Sequence, residues 1–386
     1  MVAGKTTVRT LTANIPGRGF ARICVQDDRI ASVDVLGEER LGLQYCSAGL
    51  VDIQVNGMCG VDFSSSDLTP DQVASTLPYF WATGVTSFCP TLITNSLEQL
   101  RRNFAVLEEA RRAFPKFARS VPCYHLEGPY LSSGASRGAH DPQFMRTPDF
   151  EEFNNLQLAA GGRIRILTLA PELPNALNLI EAVASRGVRI GISHTDGTPE
   201  DIWAAVRAGA TLSTHLGNGC PEIIHRHQAP LWAQLAADEL YASIICDRFH
   251  LPSEVVKVIV RMKGPDKCIL ITDAIHLSTL PVGDYMLVTT EVELLPDGKV
   301  IRKGGGSLAG STLTMDRAVA NFMELADVPL ERALQAAVGN PARLLDLPEI
   351  SDGVVPGNLA NLVLFRFSDG HFCVESCIVH GDEVYP

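Results

Sequence analysis

The sequence lacks several features that would place it in a specialised class of protein. Basic residues are in deficit, with 32 lysines and arginines against 44 acidic residues, which gives a net charge of −12. This balance argues against a nucleic-acid partner, because neutralising phosphates requires a basic surface. No apolar run approaches the roughly 18 residues of a membrane span, so we expect no membrane partner. The N-terminal segment also lacks the apolar core of a signal peptide.

Cysteines are too sparse for a disulfide scaffold, since there are ten and no two form a Cys-x-x-Cys pair. Reduced thiols and a cytoplasmic location are therefore expected. Hydrophobic residues make up 46% and charged residues 20%, as in ordinary globular proteins. A length of 386 residues allows two or three domains, or one large α/β barrel with an appendage.

The two ends of the chain have a different pattern of apolar and polar residues from the middle. Residues 1–48 and 348–386 alternate like strands and contain hairpin turns at Asp27-Asp28 and Ser368-Asp369-Gly370. They predict one small β-sandwich domain built from both termini. Residues 49–347 alternate short apolar strands with helical stretches. About eight such units predict a (β/α)8 barrel, and a flat doubly wound sheet is the alternative.

Four ionisable residues end four of the predicted barrel strands: Glu127, His194, His215 and Asp273. The carboxyl ends of barrel strands converge on one mouth, where barrel enzymes place their active sites. Two imidazoles and one carboxylate form the three-ligand set of a catalytic zinc that keeps a position open for water. Asp273 is then available as a general base and acid. The alternative for Asp273 is a helix N-cap.

The sequence resembles the N-acetylglucosamine-6-phosphate deacetylases of the amidohydrolase superfamily over nearly its whole length. The resemblance is carried by short motifs in a fixed order, including Asp52-Ile-Gln54-Val-Asn56-Gly57, His125-Leu-Glu127-Gly128-Pro129, Thr272-Asp273-Ala274 and Leu308-Ala-Gly-Ser311. It implies hydrolysis of the N-acetyl group of an amino-sugar 6-phosphate, and a homodimer in which a partner residue completes the phosphate site.

The resemblance also implies a role for each matching residue. Glu127, His194 and His215 match the metal ligands, and Asp273 matches the residue that activates water and protonates the amine. His250 matches a histidine that contacts the scissile amide oxygen. The remaining matches concern the sugar and its phosphate: His140, Arg226, Asn218, Gly219 and Leu308.

The first barrel strand carries Gln54 and Asn56 where many amidohydrolases have two histidines that hold a second metal. Neutral amides are poor zinc ligands beside imidazole and carboxylate. We therefore expect one divalent metal ion per chain, with zinc preferred over iron, manganese or cobalt. Gln54 and Asn56 are expected to form hydrogen bonds within the site.

The chain departs from the family around the sugar and phosphate pocket. Gly217-Asn218-Gly219-Cys220 lacks an aromatic residue that the family usually has, and Arg248 adds a cation. These changes leave open an unphosphorylated or epimeric N-acetylhexosamine as substrate. A non-catalytic sugar-phosphate-binding protein is a second alternative, which the presence of Asp273 beside three ligands disfavours. A dihydroorotase-like hydrolase is disfavoured because no strand end offers a lysine. The roles of His225, His227, Arg248 and His276 are left open.

Overall fold

The computed structural model describes residues 7–304 and 307–386. The strands of this part are, in chain order, β1 (Val8–Ile15), β2 (Gly19–Gln26), β3 (Arg29–Gly37), β4 (Tyr45–Ala48), β5 (Leu50–Val55), β6 (Gly57–Met58), β7 (Val61–Asp62), β8 (Val85–Ile93), β9 (Tyr124–Glu127), β10 (Ile164–Leu169), β11 (Arg189–Ile192), β12 (Ala210–Ser213), β13 (Tyr241–Ile245), β14 (Cys268–Ile271), β15 (Gly283–Leu287), β16 (Thr290–Leu294), β17 (Val300–Arg302), β18 (Leu362–Ser368), β19 (His371–Val379) and β20 (Asp382–Tyr385).

The α-helices of the same part are α1 (Pro70–Ser75), α2 (Leu77–Ala82), α3 (Leu97–Ala113), α4 (Pro115–Ser120), α5 (Phe150–Ala159), α6 (Ala176–Ala184), α7 (Pro199–Ala208), α8 (Pro230–Ala236), α9 (Ser253–Lys263), α10 (Met315–Ala326), α11 (Leu330–Leu334), α12 (Asn340–Leu344) and α13 (Pro348–Ser351). None of these helices combines the length and apolar character that a membrane crossing requires.

Eight parallel strands form the central sheet, in the order β14-β13-β12-β11-β10-β9-β8-β5. Their residues are buried almost without interruption, as in β5 and β8, because helices cover the outside of the sheet and side chains fill the inside. The backbone of Val55 bridges that of Ala274, just beyond the end of β14, so the first and last strands meet. The predicted (β/α)8 barrel is confirmed, and the flat doubly wound alternative is wrong.

The covering helices begin and end where the sequence provides caps. The hydroxyl of Ser96 accepts a hydrogen bond from the backbone of Gln99 at the start of α3, whose buried face includes Leu100, Phe104 and Leu107. Thr198 and Asp201 form a capping box at the start of α7. The spacing of apolar residues along such helices holds them against the barrel strands.

The small β-sandwich predicted from both chain ends corresponds to a separate seven-stranded sheet built from both termini, in the order β20-β19-β18-β4-β1-β2-β3. Antiparallel pairing of β18 with β4 joins residues far apart in sequence. A separate apolar cluster, which includes Ala13, Ile23 and Leu362, packs on this sheet. The limits of this unit as an independent domain, residues 1–48 and 348–386, stay a prediction.

One element was not predicted from the sequence. Strands β15, β16 and β17 form a three-stranded antiparallel sheet after the last barrel strand. Its core includes Leu287, Val292 and Val300, which pack with Ile275 and Leu277 from the segment that follows β14. This inserted sheet lies beside the carboxyl ends of the barrel strands, since Leu287 lines the cavity described below.

Phe88 provides a test of the barrel wall. Its ring is fully buried, stacks on Phe80 with a centroid separation of 3.9 Å, and meets the edge of Phe117 at 6.1 Å. Replacing a buried Phe by Ala typically costs about 3–5 kcal/mol of unfolding free energy, so we expect Phe88→Ala to lose about that much. Tyr79→Ala is the matched control, because this aromatic residue on the neighbouring helix is 48% exposed. Denaturant unfolding that shows equal losses for both variants would contradict the packing.

Candidate active site

A cavity of about 590 Å³ opens at the carboxyl ends of the barrel strands. Cavities of this size accommodate small-molecule ligands. Nine of the twelve site residues predicted from the sequence line it: Asn56, Glu127, His140, His194, His215, Asn218, His250, Asp273 and Leu308. The barrel geometry therefore brings together side chains as far apart in the sequence as Asn56 and Leu308.

Glu127, His194 and His215 form a compact cluster of possible metal ligands in the cavity lining. All three are buried, and one ligand atom from each lies within 4.8 Å of the other two. Glu127 Oε1 is 2.8 Å from His215 Nε2 and 3.4 Å from His194 Nε2. Two imidazole nitrogens thus face one carboxylate oxygen.

The outer nitrogens of both imidazoles are engaged in ways that fit a metal site. His194 Nδ1 donates to the backbone carbonyl of Ser136 at 2.8 Å, so its Nε2 carries the free lone pair. His215 Nδ1 lies 3.1 Å from Ser193 Oγ. Burial acts to raise the pKa of Glu127, but the two imidazoles hold that pKa well below its ordinary value. An ionised carboxylate and two oriented imidazoles fit a tetrahedral divalent metal with one open position.

Asp273 lines the same cavity, and one of its carboxylate oxygens is already hydrogen-bonded. Its Oδ1 accepts hydrogen bonds from Asn56 Nδ2 at 2.7 Å and Gln54 Nε2 at 3.2 Å. Burial raises the pKa of Asp273 to about 6, and the nearby charge of Glu127 adds to the effect. A buried carboxyl group with a pKa near neutrality suits general acid–base chemistry. No helix begins at Asp273 in the described structure, so the N-cap alternative is wrong.

Three of the four strand-end residues adopt a backbone conformation that the sequence did not reveal. His194, His215 and Asp273 each lie two residues beyond their strands and have φ angles of 48°, 34° and 48°. Such left-handed conformations are uncommon for residues other than glycine and cluster at functional sites. The chain turns sharply at each of these residues, and the turn directs the side chain into the mouth of the barrel.

His250 and His140 complete the set of cavity imidazoles. His250 Nδ1 donates to Asp247 Oδ2 at 2.7 Å, which fixes the ring and leaves its other nitrogen for the cavity. His140 Nδ1 lies 3.0 Å from Thr94 Oγ1, and its ring meets that of His194 edge-on at 4.5 Å. Burial lowers the pKa of His140 to about 3, so this imidazole is neutral.

The structure does not bring Arg226, Gly219 or Gln54 to the cavity lining of a single chain, although Gln54 reaches the site through its hydrogen bond to Asp273. Arg226 is exposed, and its backbone carbonyl accepts a hydrogen bond from Trp232 Nε1 at 2.9 Å. Gly219 packs so closely that a Cβ atom there would lie 2.6 Å from the backbone nitrogen of His194. Its lack of a side chain therefore permits the close approach of two ligand loops.

The residues whose roles were left open lie outside the cavity lining. Arg248 Nη2 forms a salt bridge with Glu324 Oε2 at 2.6 Å, so the positive charge of Arg248 is neutralised at the surface. His225 and His227 are exposed neighbours. His276 is buried and lines a different cavity of about 400 Å³.

Several residues that support the site were not predicted. Ser193 and Asp247 hold site imidazoles, and Asp52 is hydrogen-bonded to Thr272, which lies directly beyond the end of the strand that leads to Asp273. A sequence signal existed, because Ser193 is adjacent to His194, and Asp52 opens the first barrel motif.

An eight-stranded barrel with Glu127, His194 and His215 at its mouth and an aspartate after the last strand defines a member of the metal-dependent amidohydrolase superfamily. Similar proteins narrow the class. The N-acetylglucosamine-6-phosphate deacetylase of Lysinibacillus sphaericus is 32% identical over 305 residues, which cover 79% of this chain and 77% of the relative. The N-acetylgalactosamine-6-phosphate deacetylase of Escherichia coli O157:H7 is 30% identical over 343 residues, or 88% and 89% of the two chains.

Among solved structures, an N-acetyl-D-glucosamine-6-phosphate deacetylase variant from Mycobacterium smegmatis in complex with N-acetyl-D-glucosamine-6-phosphate superposes with a TM-score of 0.89. The match has 29% identity and covers 98% of this chain and 100% of the other. No family model matches the sequence. The chain belongs to the N-acetylglucosamine-6-phosphate deacetylase family.

Ser193 tests whether the cluster is built for a metal. Removing an outer partner of a metal-ligating histidine typically costs about 10–100-fold in metal affinity, so we expect Ser193→Ala to bind a divalent ion that much more weakly. Glu222→Gln is the control, because this exposed carboxylate lines the cavity outside the cluster. Competition titration with a chelating dye measures both affinities. Equal affinities for the two variants would show that Ser193 does not support a ligand.

Proposed function

We propose that this protein hydrolyses N-acetyl-D-glucosamine 6-phosphate to D-glucosamine 6-phosphate and acetate. The observation that carries the proposal is the convergence of Glu127, His194, His215 and Asp273 on one cavity in a member of this family. A sugar-binding protein without catalysis would need neither a buried metal cluster nor a carboxyl group with a pKa near neutrality beside it.

We propose that the cluster binds one divalent metal ion per chain, with zinc preferred. When bound, the ion would supply Lewis acidity toward the acetyl carbonyl and would make a water easier to deprotonate. Gln54 and Asn56 occupy the positions where a second metal would need two histidines, and neutral amides are poor zinc ligands. Both residues instead use their amide nitrogens to donate hydrogen bonds to Asp273 Oδ1. This arrangement supports a single metal site.

Asp273 is proposed to move the protons of the reaction. Its Oδ1 is held by two amides, which leaves Oδ2 to accept a proton from the attacking water. The same oxygen then returns the proton to the departing amine nitrogen, which cannot leave as an anion at neutral pH. His250, held by Asp247, is positioned to donate a hydrogen bond to the amide oxygen as negative charge develops there.

The sugar is proposed to lie between the imidazole of His140 and the loops that carry Asn218 and Leu308, all of which line the cavity. The epimer is a separate question, because the E. coli relative is named for N-acetylgalactosamine 6-phosphate. Deacetylation of an epimeric substrate is therefore the second candidate function. The metal cluster and Asp273 would act on either sugar in the same way.

We propose a homodimer in which Arg226 of the partner subunit binds the phosphate. Within the described residues of one chain, no lysine or arginine lines the cavity, although a phosphate dianion requires a cation or several donors. Arg226 is exposed and has no acidic partner within salt-bridge distance among residues 7–304 and 307–386. Such an arginine is free to reach a neighbouring subunit.

A cytoplasmic location is also proposed, since none of the ten cysteines, all in the described part, is paired.

A substrate panel tests the proposal directly. N-acetylglucosamine and N-acetylgalactosamine, each with and without 6-phosphate, are incubated with the purified metal-loaded protein, and acetate release is measured. The glucosamine 6-phosphate derivative should have the highest kcat/KM. Preference for the galactosamine derivative would favour the second candidate, and release from none of the four would refute deacetylation of these sugars.

Asp273→Asn should retain its metal but lose turnover by at least about a hundredfold, the low end of general acid–base contributions. An amide has nearly the same shape as the carboxyl group but cannot accept the proton of the water. Metal analysis of the purified variant separates this effect from loss of the ion. Near-normal turnover would mean that another group is the base.

Arg226→Ala should lower kcat/KM for the phosphorylated sugar. The expected loss of transition-state stabilisation is about 1.5–3 kcal/mol, the usual cost of losing a hydrogen bond to a charged group. The slower reaction of the unphosphorylated sugar should not change. Arg261→Ala is the control, because Arg261 is also an exposed arginine but lies on α9. This variant should leave kcat/KM unchanged for both substrates.

Mixing subunits tests the dimeric arrangement. An Arg226→Ala chain keeps Asp273, and an Asp273→Asn chain supplies Arg226, so a mixed dimer contains one complete site. Random exchange in equal amounts should restore about a quarter of wild-type activity, because half of the dimers are mixed and each has one working site. No recovery, with exchange confirmed by mass spectrometry, would place the phosphate contact elsewhere.

A further inference from the structure

Asp52 is a buried carboxylate at the seam where the barrel closes. It lies on β5, two residues before Gln54, and is 1% exposed. Its Oδ1 accepts hydrogen bonds from the backbone nitrogens of Gln54 at 3.2 Å and Thr272 at 3.3 Å. Its Oδ2 accepts from Thr272 Oγ1 at 2.5 Å. One side chain therefore holds both the first strand and the segment after the last one.

These contacts flank Asp273 directly. The Thr272 hydroxyl that donates to Asp52 also accepts from the backbone nitrogen of Ala274 at 3.2 Å, so it spans Asp273. The backbone nitrogen of Asp273 itself donates to the carbonyl of Gln54 at 3.0 Å. Asp273 has a φ of 48°, a conformation that persists only where the surroundings enforce it.

Closing the barrel does not by itself require a carboxylate at position 52. Burial raises the pKa of Asp52 to about 7, which reflects the cost of keeping its charge away from water. An apolar β-branched residue, as at Val51 and Ile53 on the same strand, would pack there without that cost. The carboxylate provides what such a residue lacks, namely acceptors for the three donors around Thr272.

We propose that Asp52 is a positioning residue for the reaction. Through Thr272 it fixes the backbone around Asp273, so that Oδ1 stays with Gln54 and Asn56 and Oδ2 is presented to the reacting atoms. The inference rests on the proposed function, because the turnover number measures whether the Asp273 carboxyl group is correctly positioned.

The experiment compares variants of the metal-loaded enzyme with N-acetylglucosamine 6-phosphate. Misplacing a reacting group by about 1 Å can cost about a hundredfold, so Asp52→Ala should lower kcat by that order while KM stays within about twofold. Thr272→Val should lower kcat about tenfold through the same contact. The double variant should be no slower than Asp52→Ala, because both changes remove one interaction. Metal content should match the wild type in every variant.

Asn340→Ala is the matched control for stability alone. Asn340 is fully buried, and its Nδ2 donates to the carbonyls of Pro265 at 2.8 Å and Cys268 at 2.7 Å, at the opposite end of β14. It should lower the melting temperature and leave kcat unchanged. Asp52→Asn keeps one acceptor oxygen, so its kcat should fall between those of the wild type and Asp52→Ala. If Asp52→Ala does not fold, Asp52→Asn and Thr272→Val make the same comparison.

The outcomes separate this role from the proposed function. An active wild type with the expected order of kcat values supports the role. An active wild type whose Asp52 and Thr272 variants lose no more turnover than Asn340→Ala, or lose it with their metal, overturns the role alone. A wild type that releases no acetate overturns the proposed function and this role with it.

Discussion

The barrel closes where β5 meets the end of β14, and the rest of the site depends on that junction. The closing backbone hydrogen bonds join Asp273 to Gln54, and Asn56 to Ala274. Because side chains on one face of a strand recur every second residue, closure places the amides of Gln54 and Asn56 together against Asp273. The three proposed metal ligands, Glu127, His194 and His215, lie at or beyond the ends of strands between these two. A barrel that failed to close would therefore separate these ligands from Asp273.

The site is costly to build, and the core that surrounds it is large. His194, His215 and Asp273 occupy left-handed backbone conformations that each cost on the order of 1–3 kcal/mol. Each of their side chains is also less than one-tenth exposed, so burial opposes its charged form. Close-packed apolar strands and helix faces offset these costs. The same packing leaves the reacting groups little room to move, which favours a site that is organised before substrate arrives.

How much the sequence could predict differs from residue to residue. Glu127, His194, His215 and Asp273 were recognisable because each interrupts an apolar run at its carboxyl end, and a parallel barrel gives such positions one location. The left-handed backbone conformation at three of these residues cannot be predicted from the amino-acid composition. The inserted sheet was missed because its strands are short and half exposed, so their alternation is weak. Arg226 is a different case, because its proposed role lies in a contact between chains, and periodicity within one chain carries no information about that contact.

The seven-stranded sheet has a consequence for how the protein is made. Its β4 pairs with β18, so the hydrogen bonds between residues 45–48 and residues 362–365 can form only after the later residues have been synthesised. A ribosome adds about 5–20 residues per second, so the early strands remain without these partners for tens of seconds after they emerge. All eight barrel strands are synthesised in that interval. The barrel therefore has the opportunity to assemble first and to present β4 as an exposed edge, which is the stage at which the nascent chain is most open to aggregation.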